Sequence, residues 1–121
     1  MKLAGVAVAL SLVLLPAQAL AHAKLKVSSP AANARVAAGL KEIRLEFAES
    51  IEPSLSKFEL DDAAGKSAAA LPGDKACAKA KCKFEIAPLG PGVYTVKYHV
   101  LSEDGHVVDG KIDFTVAGGG A

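Results

Sequence analysis

The chain has 121 residues, with 14 Lys and Arg against 13 Asp and Glu, a formal net charge of +1, two Cys and no Trp. That balance excludes the basic footprint of a nucleic-acid-binding protein or of one drawn to an anionic membrane surface. The length bounds the fold to one small domain, expected to act as a monomer.

Residues 1–21 read as a secretory signal. Lys2 is the positive n-region, Leu3 to Leu15 the apolar core, and Pro16 precedes a small-residue segment. The apolar core is shorter than the roughly 20 residues that a membrane span requires. Ala19-Leu20-Ala21 matches the small-x-small rule and puts cleavage before His22; a cut after Ala17-Gln18-Ala19 is the competing site. The mature domain is then expected over 22–117, with a flexible glycine tail over 118–121.

From His22 onward two-residue alternation dominates, the period of half-buried strands. In "HAKLKVSSP", Ala23, Leu25 and Val27 share one face. In "KEIRLEF", Ile43, Leu45 and Phe47 point inward, and in "SKFELDDAAG", Phe58 and Leu60 do so before a turn expected over Asp61 to Gly65. "KCKFEIAPLGPG" offers Phe84 and Ile86, "VYTVKYHVL" offers Tyr94, Val96, Tyr98 and Val100, and "GKIDFTV" closes with Ile112, Phe114 and Val116. About seven short strands with turn signals between them predict an all-β antiparallel sandwich or barrel. The segment from Ala63 to Lys81 has no legible pattern.

Cys77 and Cys82 lie within that segment and just beyond it. In an exported chain a local disulfide is expected, because an oxidising compartment does not keep thiols reduced. So short a loop would contribute about 2 kcal/mol in the chain-entropy description. A two-thiolate Cu(I) site is the alternative, although C-x4-C spacing is not diagnostic of one.

"SEDGHVVDGK" follows the longest alternating strand. Asp104-Gly105 is a hairpin-turn dipeptide, so Asp104 and His106 are expected to flank a bend at one end of the sandwich. Alone, this is an ordinary turn beside a solvated imidazole. A free N-terminus at His22 changes the chemistry, since its amine and imidazole Nδ1 can chelate one cation. With His106 and Asp104 the donors become three nitrogens and one oxygen, and tetragonal N,O coordination is what Cu(II) prefers.

On these pieces the mature chain resembles the CopC-type periplasmic copper-resistance proteins. "HAKLKVSSPAANARV", "IRLEFAESIEPSLSKFELDDAAGK" and "GVYTVKYHVLSEDGHVVDGKIDFTV" carry the likeness. It implies a seven-stranded Greek-key β-barrel or sandwich of cupredoxin-like or immunoglobulin-like shape, holding one Cu(II) per mature chain at His22, Asp104 and His106. It further implies periplasmic sequestration of copper and its delivery to an inner-membrane transporter of the CopD type. Glu49 matches an acidic residue that the family often places near the copper; a solvated strand-end charge fits it equally well. The only methionine is Met1, so the Met-rich Cu(I) site of some members is absent. His99 stands where Arg is common and is expected to lie outside the ligand set.

Two other function classes compete. An N-terminal His with a second His is also the copper brace of an oxidase or oxygenase, but the absence of Trp and the presence of only two Tyr leave little stacking surface for a sugar substrate. A metal-free, immunoglobulin-like interaction domain is the default for a small secreted sandwich.

Overall fold

Alternation along the strands becomes a core shared between two sheets. The computed structural model describes residues 24–118, so the signal segment, its cleavage site, His22 and the last residues of the tail lie outside the described residues. One sheet runs in the order β1 (Leu25–Ser29), β3 (Glu42–Phe47), β7 (Lys81–Glu85), β6 (Cys77–Ala78). The other runs β2 (Arg35–Val36), β9 (Val107–Val116), β8 (Gly92–Leu101), β4 (Lys57–Asp62), β5 (Ser67–Ala70). Neighbours pair antiparallel, except that β2 lies parallel to the end of β9. The nine strands found among the described residues exceed the seven expected because β2 and β6 are only two residues long, too short to show a period.

Most of the inward residues are those that the alternation picked out, with Ile51, Leu71, Cys82 and Leu89 added to them. Ile43, Leu45 and Phe47 of β3 and Leu60 of β4 are essentially sealed from water, as are Val96, Val100, Phe114 and Val116 from the long hairpin. Aromatic rings bridge the two sheets: Phe58 meets Phe84 at a centroid distance of 5.1 Å, and Phe47 meets Tyr98 in a T-shaped contact at 5.4 Å. Such tilted contacts add to the burial of apolar area that holds a sandwich together.

Two expectations fail for local reasons. Val27 is exposed, because a β-bulge between Leu25 and Val27 shifts the β1–β3 register and turns the strand over. Asp61 does not begin the turn but extends β4, where it is buried and paired with Lys97 at 3.0 Å. The turn starts one residue past Asp62, whose Oδ1 accepts the backbone N–H groups of Ala64 and Lys66. The Asp61 hydrogen bond raises the Lys97 ammonium above its ordinary value. On the alkaline side the contribution of the pair is lost as pH rises through that raised value. Between Ala63 and Lys81 lie β5, a four-residue helix α1 (Gly73–Ala76) and β6, three elements too short for periodicity to reveal.

Gly110 faces Tyr98 across the β8–β9 ladder. A Cβ there would run into the phenol oxygen and Cζ of Tyr98 and come within 2.9 Å of its Cε1. The ring is also packed against Phe47, at a centroid distance of 5.4 Å, which limits how far it can shift. Gly110→Ala is expected to destabilise the protein by about 1–3 kcal/mol, the usual cost of overpacking, read as a lower urea midpoint.

Candidate metal centre

The segment from Phe47 to Glu52 leaves β3 and crosses one pole of the sandwich, and three separate parts of the chain bond to its backbone. The start of the described chain is held by Ala48, whose N–H donates to the Lys24 carbonyl at 2.7 Å. The connection between β8 and β9 is held on both sides: Glu52 N–H donates to Leu101 O at 2.8 Å, and Glu103 N–H donates to Ser50 O at 3.0 Å. The hairpin between β6 and β7 supplies two acceptors, Ala80 O for Phe47 N–H at 2.8 Å and Lys79 O for Ile51 N–H at 3.0 Å. Ile51, almost wholly buried, also bridges to Ser102.

Ser102 organises the bend. It is a buried polar residue at 1 % exposure, and its backbone N–H donates to His106 O at 2.8 Å while its carbonyl accepts Gly105 N–H at 2.9 Å. Gly105 sits at φ +93°, a left-handed conformation that glycine adopts without strain. The Ser102 hydroxyl donates to Asp104 Oδ1 and accepts the His106 N–H at 3.2 Å. The same carboxylate oxygen lies 3.1 Å from His106 Nδ1. Metal bonds to nitrogen and oxygen run about 2.0–2.2 Å, so two adjacent ligands of one ion stand close to this distance apart. The donor atoms are thus already within the span of a single small cation, and both side chains remain about half exposed.

Asp104 and His106 are brought together at the end of the sandwich, as the turn dipeptide predicts. Glu49 lies on the adjoining segment, one residue from the Ser50 carbonyl that holds Glu103. His22 lies outside the described residues. His99 is on the outer face of the second sheet, opposite Asp109 in the ladder, with Nδ1 2.5 Å from that carboxylate. It is not gathered with Asp104 and His106. Cys77 and Cys82 form a disulfide across the β6–β7 pair, not a thiolate site. Among the described residues no group of three or more His, Cys, Asp or Glu is clustered so as to hold a metal ion.

Ser102 is the residue that alternation could not reveal. The signal was present, however, in a strand-end serine two positions before Asp104, the spacing at which a hydroxyl reaches into a turn.

A family model described as the CopC domain matches residues 25–117. The chain belongs to the CopC family. It is 38% identical over 107 residues to copper resistance protein C of Xanthomonas campestris pv. juglandis, covering 83% of this chain and 84% of that one. It is also 37% identical over 100 residues to protein YobA of Escherichia coli K12, covering 79% of each. Among solved structures, CopC from Methylosinus trichosporium OB3b superposes with a TM-score of 0.69 at 31% identity, over 83% of this chain and 98% of that one. PcoC of E. coli, a methionine-rich copper resistance protein, superposes at 0.60 with 27% identity, over 79% and 99%. This CopC-family chain departs from methionine richness, since its single methionine is Met1.

Ser102→Ala would remove the hydroxyl that donates to Asp104 Oδ1 and accepts the His106 N–H. A loss of about 1–3 kcal/mol is expected, measured by denaturant unfolding without metal.

Proposed function

We propose that the mature protein binds Cu(II) in the periplasm, one ion per chain, through His22, Asp104 and His106, with Glu49 beside the ligands. The observation that carries this reading is the Asp104–His106 approach at the pole where the chain enters the fold. Lys24, only two residues beyond His22, is hydrogen-bonded to Ala48 on the segment that also holds Glu103. Two extended residues span about 7 Å, which is short enough to keep an N-terminal histidine at that pole. Membership of a family that includes copper resistance proteins supports the choice of metal.

Signal cleavage before His22 would supply an amine and an imidazole from one residue. Together with His106 and Asp104 they make a three-nitrogen, one-oxygen set that suits tetragonal Cu(II) better than tetrahedral zinc. The carboxylate's negative charge favours the cupric over the cuprous ion, and without methionine thioethers the chain offers little to Cu(I). Such a site holds copper and does not cycle it. The protein is thus a carrier or buffer, not an enzyme, whose cargo passes to an inner-membrane copper transporter.

Mass spectrometry of the exported protein should find His22 as its first residue. Titration of that protein with Cu(II) should give one tightly bound equivalent with a tetragonal electron paramagnetic resonance spectrum. His106→Ala should weaken binding at least 100-fold, whereas His99→Ala should change it less than about threefold; equal losses would overturn the ligand set. Affinity should fall on acidification, because protons compete for every proposed donor. Substrate cleavage by the copper-loaded protein with a reductant, or peroxide production faster than that of free Cu(II), would instead mark it as an enzyme.

A further inference from the structure

The Cys77–Cys82 disulfide lies outside the ligand set, yet a continuous path of backbone contacts joins it to the site. Strand β6 is two residues long and forms the edge of its sheet, paired to β7 only through Cys77↔Cys82 and Ala78↔Lys81. So short an edge strand has almost no ladder of its own to hold it. The disulfide closes this hairpin at its base, and its tip is Lys79-Ala80.

The two tip carbonyls depend on that closure unequally. Ala80 O receives Phe47 N–H and merely prolongs the β3–β7 ladder, which pairs Glu46 with Lys81. Lys79 lies on the β6 side of the bend at φ +59°, a conformation that a lysine holds only where its surroundings impose it. Its carbonyl accepts Ile51 N–H at 3.0 Å. Phe47 and Ile51, the residues bonded to the tip, bracket Ala48, Glu49 and Ser50. Ile51 then bridges to Ser102, whose hydroxyl holds both Asp104 and His106.

We propose that Cys77 and Cys82 are positioning residues of the copper site. Their disulfide fixes the Lys79 carbonyl, which anchors Ile51, and through it the segment carrying Glu49 and the bend carrying Asp104 and His106. The bridged protein presents a preorganised site; without the bridge the donors must be ordered when the metal binds, and affinity falls. This role rests on the copper reading given above.

The experiment compares the exported wild-type protein with Cys77→Ser/Cys82→Ser and with Lys79→Pro. Proline cannot adopt positive φ, so the second variant displaces the Lys79 carbonyl while leaving both cysteines in place. Cu(II) affinity is read by chelator competition, the site by electron paramagnetic resonance, and the fold by circular dichroism. Both variants should lose about tenfold in affinity, the scale on which groups behind the ligands act, with altered copper hyperfine splitting. A purely structural bridge would lower the melting temperature without moving that spectrum. Should the double variant fail to fold, Lys79→Pro decides alone, and unchanged affinity and spectrum in it overturn the positioning role. Wild-type protein that takes up no Cu(II) overturns the copper reading and the positioning role with it. Wild-type that binds while the variants bind equally well overturns the positioning role alone.

Discussion

Six residues of backbone, Phe47 to Glu52, tie this molecule's pole together. Their amides and carbonyls reach Lys24 at the start of the described chain, Leu101 and Glu103 around the last bend, and Lys79 and Ala80 in the disulfide hairpin. The amides of the buried Phe47 and Ile51 in particular need the acceptors that Ala80 and Lys79 supply. The hydrogen bonds therefore place three stretches of chain, distant in sequence, against one another.

The core explains why that segment can be an anchor. Phe47 at its start and Ile51 near its end are almost completely buried, and Phe47 packs against Phe58 and Tyr98 of the opposite sheet. The backbone between them is pinned by apolar burial on both sides while Ala48 and Glu49 remain exposed. The rigid scaffold is thus carried right up to a polar, water-accessible rim, the usual arrangement for loops that bind. Ser102 repeats the pattern on the facing bend: a buried hydroxyl orients two half-exposed side chains.

The outer face of the second sheet is a different environment. Rows of charged side chains cross β4, β8 and β9, with Lys97 on Asp61, Thr95 on Asp113 and His99 on Asp109. An exposed pair such as His99 with Asp109 contributes little to stability by itself. It does hold the His99 imidazole on the sheet face, opposite Asp109 in the ladder, and that separates two histidines only seven positions apart in the chain.

Much of this was legible without coordinates, because strands with one face in a core leave a period-two record in their residue types. Ile43, Leu45 and Phe47, the Tyr94–Val100 run and the Ile112–Val116 run were readable for that reason, as was the Asp104-Gly105 bend, whose chemistry is local. Elements of two to four residues left no such record, so β2, β6 and α1 were hidden, and a single bulge sufficed to turn Val27 outward. Alternation also cannot say which carbonyl a loop amide will meet. That Ser102 joins Asp104 to His106 is local turn chemistry that a two-residue period does not record, whereas the reach of the Lys79 carbonyl to Ile51 was decided only by the tertiary fold, which brings two stretches distant in the chain within 3.0 Å of one another.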